Sequence, residues 1–200
     1  MKNFNNIDNI IFDLGGVLFK LDTDKTFQEF ENHGITTKTF ENSEDLFLRF
    51  ETGKISPKDY LLQVNNICNS SLSMEEFKYC WNAMIGEYPE KNRQLLEKLS
   101  KKFNLYVLSN TNEIHVEYFI PIANWREGLF KKIYFSNEIG YRKPDLDCYK
   151  FVLNDAAIDA TRTLFIDDRV DNIAGAAEVG INTIRLSKQE DLYKIFDEYL

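Results

Sequence analysis

The chain is poor in cysteine, has no long apolar run, no basic cluster and no leader-like start, and each absence excludes a class of protein. Its three cysteines, Cys68, Cys80 and Cys148, are odd in number and lack close metal-type spacing, which argues against a disulfide framework and against a zinc site. They read as core thiols. No apolar run approaches the about 20 residues of a membrane span, so no membrane partner is expected. Met1 to Asn9 lack the basic start and apolar stretch of a signal peptide, and the expected location is the cytoplasm. No basic patch offsets the net charge of −8, and such a chain repels a polyphosphate backbone, so nucleic acid is not an expected partner. Internal repeats and low-complexity linkers are also missing.

What is present is material for a good core. At 200 residues, with 44% hydrophobic and 14% aromatic side chains, the chain can bury roughly 70% of its unfolded surface and still carry an inserted subdomain. Ile7 to Leu14 reads as a buried strand that Gly15-Gly16 breaks. From about Thr23 to Ile85 the spacing turns helical without a clear strand, and helices are expected to start near Thr23, Phe40, Ser56 and Ser73. Ser56-Pro57 and Ser73-Met74-Glu75-Glu76 are helix-start signals, the second a capping box. Residues such as Leu46, Phe47, Phe50 and Phe77, Cys80, Trp81 recur at helical spacing and supply a bundle core. After Pro89 the two periods alternate: helices over 89–102, 112–120, 145–154, 171–179 and 188–199, strands over 104–109, 131–136, 163–167 and 182–186. With the first strand, this predicts an α/β fold, a five-stranded parallel sheet with helices on both faces.

Three of these strands end on polar residues, and ligands bind at the carboxyl edge of a parallel sheet. Asp13 follows Ile10-Ile11-Phe12; a carboxylate there can attack phosphorus and split hydrolysis into two easier steps, or it can merely end a strand. Ser109 ends Tyr106-Val107-Leu108 and can either donate a hydrogen bond to a phosphoryl oxygen or cap the next helix. Lys143, in Arg142-Lys143-Pro144-Asp145, reads as a surface lysine or as the cation that offsets clustered carboxylates. Asp167 and Asp168 close Leu164-Phe165-Ile166, and two adjacent acids at a strand tip repel unless a cation balances them. A hard, oxygen-ligated Mg²⁺ suits them best.

The order of these groups, a lone Asp, a hydroxyl, a Lys and an Asp pair, resembles the haloacid dehalogenase (HAD) superfamily, most of whose members are magnesium-dependent phosphatases. Phe12-Asp13-Leu14-Gly15, Ser109-Asn110-Thr111-Asn112 with His115, Arg142-Lys143-Pro144, Phe165-Ile166-Asp167-Asp168 and Gly53-Lys54-Ile55-Ser56 are similar to a bacterial subgroup that contains α-D-glucose-1-phosphate phosphatase. The similarity spans nearly the whole chain. It implies a Rossmann-like core of residues 1–18 and 87–200 with strand order 5-4-1-2-3, and a helical-bundle cap over 19–86. The connections near 18–22 and 85–89 are then the candidate hinges. Asp13 would be the nucleophile, Ser109 and Lys143 would position and neutralise the phosphoryl group, Asp167 would orient Lys143 or a metal-bound water, and Asn172 would support them from behind. Asp13, the Gly15 carbonyl and Asp168 would hold Mg²⁺. Ser109, Asn110, Lys143, Asp22 and His115 would meet the substrate, a small phosphate ester such as the sugar phosphate α-D-glucose 1-phosphate. His115 and Asp22 also have plain readings, a partly exposed helix residue and a helix cap.

The resemblance breaks at Gly15. Most phosphatases of the superfamily carry a second Asp there, which protonates the leaving group and then activates water. The bacterial subgroup shares the glycine, so its presence need not mean an inactive protein. Acid–base help is worth about 10²–10⁴-fold, and Asp22 is the candidate substitute. The glycine itself is read as meeting a need for positive φ in the turn. A 2-haloacid dehalogenase, which needs no metal, would leave the Asp167-Asp168 pair without a use. A binding or regulatory protein that keeps the pocket without turnover is the non-enzymatic alternative.

Overall fold

The computed structural model describes residues 4–36 and 43–199. Strands β1 (Asn9–Phe12), β2 (Asn104–Ser109), β3 (Lys132–Phe135), β4 (Thr163–Asp167) and β5 (Asn182–Arg185) form one parallel sheet in the order β3-β2-β1-β4-β5. This is the expected order, read from the opposite edge. The central strand is shorter than Ile7–Leu14, although the Asp13 amide still donates to the Ile166 carbonyl at 2.9 Å and carries the ladder to the site.

Successive residues of a strand face opposite sides, and β1 feeds two cores accordingly. Ile10 and Phe12 pack with Leu95, Leu96 and Leu99 of α5 (Glu90–Leu99) and with Phe119 of α6 (Glu113–Ala123). Ile11 faces Cys148, Tyr149 and Val152 of α8 (Leu146–Asp155) and Ala176 of α9 (Val170–Glu178), the short α7 (Ser136–Ile139) having followed β3. The expected helix over 188–199 is divided: α10 (Asp191–Ile195) stops, the chain turns at the fully buried Phe196, and a 3₁₀ turn covers Asp197–Tyr199. Cys80 and Cys148 are buried thiols as expected, whereas Cys68 is only half-buried.

Among the described residues, four helices lie between β1 and α5: α1 (Thr23–Asn32), α2 (Glu44–Glu51), α3 (Pro57–Cys68) and α4 (Met74–Asn82). The start expected near Phe40 falls outside the described residues. Ser56 accepts from the Asp59 amide with Pro57 in the first turn, and Ser73 and Glu76 form the anticipated capping box. These helices share a third core of Phe30, Phe50, Tyr60, Phe77 and Trp81, with Phe50 and Tyr60 stacked at 4.2 Å. The two connections pair with each other: Leu21 bridges Ile85 in antiparallel fashion, the Asp22 amide donates to Met84, and the Gly86 amide donates to Lys20. Among the described residues no helix is long and apolar enough to cross a membrane.

Candidate active site

At the carboxyl ends of β1 and β4, Asp13, Lys143 and Asp167 form a buried charge cluster. Lys143 is 1% exposed, its Nζ 2.9 Å from Asp13 Oδ1 and 2.7 Å from Asp167 Oδ2. The surface-lysine reading is thereby removed. Asp167, fully buried, also accepts from Asn172 Nδ2 at 3.0 Å and from the Arg169 amide at 2.8 Å. The Leu14 amide donates to Asp13 Oδ1 at 2.7 Å. Asn110 clamps the lysine's backbone from both sides, its Nδ2 donating to the Lys143 carbonyl at 2.7 Å and its Oδ1 accepting from the Lys143 amide at 2.8 Å. Asn110 borders the cleft, but its amide is spent holding Lys143 in place.

Asp168 completes the group. One carboxylate oxygen from each of Asp13, Asp167 and Asp168 lies within 4.8 Å of the others, and Gly16, with φ of 74°, makes that approach possible. A Cβ there would stand 2.6 Å from Asp168 Oδ2. Burial raises the Asp13 carboxyl against the pull of Lys143, and burial with the neighbouring Asp167 raises Asp168. For Lys143 burial alone would favour the neutral amine, yet the two carboxylates hold its ammonium above the ordinary value. Three acids share one fixed cation here, and a hard divalent ion fits both the oxygen donors and the leftover negative charge.

Between this cluster and helices α1, α2 and α4 lies a cavity of about 400 Å³ that Gly15, Ser109, Asn110 and His115 all border. Ser109 is 4% exposed and is not the cap of α6; Asn112 takes that position, its Oδ1 accepting from the His115 amide at 3.2 Å. The hydroxyl of Ser109 borders the cleft and makes a long contact, 3.5 Å, to the Asn110 carbonyl. His115 is half-buried, stacked on Trp81 at 5.7 Å, and closes a circuit with it. Trp81 Nε1 donates to Asn112 Oδ1 at 3.3 Å, Asn112 Nδ2 faces His115 Nδ1 at 3.2 Å, and His115 Nε2 lies 3.1 Å from the Trp81 carbonyl. A carbonyl can only accept, so Nε2 carries the proton and Nδ1 accepts from Asn112. Burial pulls the imidazole down to about 4.

Two expectations need correction. Asp22 stands at the N-cap position of α1 but makes no capping hydrogen bond. Its half-exposed carboxylate lies 3.7 Å from Lys25, and it does not border the cavity. The next turn of backbone points it outward, and the structure brings it to neither the metal cluster nor the substrate space. Gly15 does not have the positive φ expected of it; that belongs to Gly16. What occupies the side-chain space at Gly15 is Leu21, whose Cδ1 would lie 2.4 Å from an added Cβ.

One site contact had no signal in the spacing. Glu51 at the end of α2 is buried against Arg142, whose Nε donates to Glu51 Oε2 at 3.0 Å, beside Lys143. Burial raises the Glu51 carboxyl, opposed by Arg142.

The chain belongs to the haloacid dehalogenase-like hydrolase family, whose model matches residues 10–186. It is similar to a HAD family enzyme from Bacteroides thetaiotaomicron solved in complex with magnesium and inorganic phosphate. That likeness is 34% identity over 95% of this chain and 99% of the other, with a TM-score of 0.89. A D-ribitol-5-phosphate phosphatase from Bacteroides thetaiotaomicron is 30% identical over 188 residues, 90% of this chain and 91% of the relative. A sesquiterpene phosphatase from Aspergillus oryzae is 29% identical over 192 residues, 88% of each chain.

Proposed function

We propose that this hydrolase is a magnesium-dependent phosphatase that cleaves a small phosphate monoester through an aspartyl phosphate on Asp13. The buried Asp13–Lys143–Asp167 cluster at the strand tips carries this reading, because a lysine buried between two carboxylates is costly unless it serves a charged ligand. Asp13 attacks phosphorus, the P–O bond to the organic group breaks, and water then cleaves the acyl phosphate to release inorganic phosphate. Lys143 offsets charge on the transferring group, Ser109 orients it, and Asn110 and Asn172 hold Lys143 and Asp167 in place. Asp13, the Gly15 carbonyl and Asp168 would hold Mg²⁺, which supplies charge neutralisation for the phosphoryl oxygens. Residues 19–86 form the cap that excludes water from this chemistry.

Among the described residues that line the cavity, none stands out as the leaving-group acid. His115 is neutral with its only proton committed to Trp81, Glu51 is held by Arg142, and Asp22 lies outside. The enzyme therefore favours esters whose leaving group needs little protonation. The ribitol-phosphate relative supports sugar and polyol phosphates as one substrate class, and α-D-glucose 1-phosphate is the member that the sequence resemblance names. Hydrolysis of 4-nitrophenyl phosphate with Mg²⁺ and with EDTA tests the reading. Turnover should require the metal and vanish in Asp13→Asn, whose amide matches the carboxylate in shape but cannot attack. Metal-independent turnover, or activity retained by the variant, would refute the mechanism.

A further inference from the structure

We infer that the organic group of the substrate is hydrophobic, an alkyl or aryl chain or ring rather than a polyol. The inference rests on the phosphatase reading and departs from the polyol class that the ribitol-phosphate relative supports. The cavity that begins at Gly15 and Ser109 is walled by Phe19, Phe30, Phe47, Tyr60, Trp81 and Phe119. Its rim, beside the exposed Thr23 and Glu44, carries large apolar side chains: Phe27 and Leu21, both bordering the cavity, are 45% and 44% exposed. Large apolar side chains left facing water at the mouth of a pocket mark a surface that a hydrophobic ligand covers.

The polar side chains within the cavity are mostly committed to one another. Thr26 Oγ1 donates to the Trp81 carbonyl and accepts from the Met84 amide. Asn110 is taken by the Lys143 backbone, Asn112 and His115 by the circuit with Trp81, and Glu51 by Arg142. Of the rest, Ser109 belongs to the phosphoryl end, while Thr23 and Glu44 lie on the exposed rim. A polyol would give up water at every hydroxyl, and among the described residues the hydroxyls of Ser43, Tyr60 and Thr111 are too few to replace it. Each hydroxyl left unpaired in the closed cleft weighs against binding. A hydrocarbon has nothing to lose on entry and gains the aromatic wall.

The test compares hexyl phosphate with D-ribitol 5-phosphate on the full chain with saturating Mg²⁺, since both release a primary alkoxide and differ in the polarity of the organic group. The kcat/KM for hexyl phosphate should exceed that for ribitol 5-phosphate by at least about tenfold, with most of the difference in KM. Where alkyl esters turn over slowly, hexylphosphonate should inhibit 4-nitrophenyl phosphate hydrolysis at least about tenfold more tightly than ribitol 5-phosphate does. Phe27→Ser, at the exposed rim, should lower that preference about threefold. Equal or reversed preference with intact aryl phosphatase activity overturns the inference and leaves the phosphatase reading standing. Failure to hydrolyse any of the three esters overturns both.

Discussion

Replacing Lys143 by Met tests whether the charge cluster governs stability as well as chemistry. Met fills the space of the aliphatic stem, and the Asn110 clamp binds only the backbone of residue 143, so the loop keeps its place. What is lost is the ammonium 2.9 Å from Asp13 and 2.7 Å from Asp167. Removing one partner of a buried ion pair costs about 3–5 kcal/mol, and here two carboxylates are left facing each other. Asn172 and the Arg169 amide still serve Asp167, so Asp13 bears most of the strain. Its carboxyl is already raised by burial, and without the lysine it takes up a proton in the folded state at still higher pH. A raised folded-state value means that stability is gained as pH falls, so the loss should be larger at pH 8 than at pH 6. Without the ammonium the site is more negative, so a cation bound only by the folded protein should bind the variant more tightly than wild type and narrow the gap, by about 1.4 kcal/mol for each tenfold difference in Kd. Urea unfolding of both proteins, with and without Mg²⁺ at the two pH values, reads all of this from midpoints at constant m. A loss below about 1 kcal/mol at pH 8 without metal, or a gap indifferent to Mg²⁺, would refute the reasoning.

Asp168→Ala should weaken Mg²⁺ binding by calorimetry far more than Asp22→Ala, because Asp168 lies in the acidic trio and Asp22 faces Lys25; equal affinities would remove Asp168 from the metal site. Gly15→Asp should fold, since the obstruction is the flexible end of Leu21 and the backbone has no positive φ. If an acid is what that position lacks, plots of log kcat against leaving-group pKa should be shallower for the variant, with alkyl esters gaining up to about 10²-fold, whereas parallel plots would mean that another group already supplies the proton. The His115 imidazole, pulled down to about 4, stays neutral in the fold while the unfolded chain binds a proton near pH 6.5. Its stabilisation is therefore complete above pH 6.5 and declines towards pH 4, by roughly 3 kcal/mol over that window. His115→Gln should flatten this acid limb in thermal unfolding, and an unchanged slope would show that the ring is not kept neutral.

Much of the architecture is local and hence legible. The strand tips that carry Asp13, Ser109 and Asp167 are apolar runs ended by a polar residue, and β2 and β4 match the expected 104–109 and 163–167. Ser56 and Ser73 mark helix starts by contacts within four residues, which spacing alone encodes. The C-terminal helix fails for the opposite reason. Leu192 and Phe196 have helical spacing, yet Phe196 is drawn into the core, where it stacks on Phe4 at 5.3 Å. Local periodicity cannot report that distant partner.

The same boundary divides the site. The acids and the lysine are visible as residue types in order, but the pairing of Glu51 with Arg142 spans 91 positions and the Trp81 contacts to Asn112 and His115 span more than thirty. Leu21 is the most instructive case. Met with only the glycine, one infers a missing acid and looks for a carboxylate nearby, and Asp22 offers itself. The antiparallel pairing of Leu21 with Ile85 instead turns Leu21 onto Gly15 and Asp22 away. An Asp at position 15 would meet that leucine, whose Cδ1 lies 2.4 Å from where the added Cβ would stand. Glycine admits the leucine, so one exchange of side chains both removes the acid and extends the apolar wall of the cleft to the phosphoryl end. A site with those two properties suits an ester whose leaving group is hydrophobic and departs with little help, and the two features of the cleft have a single structural origin.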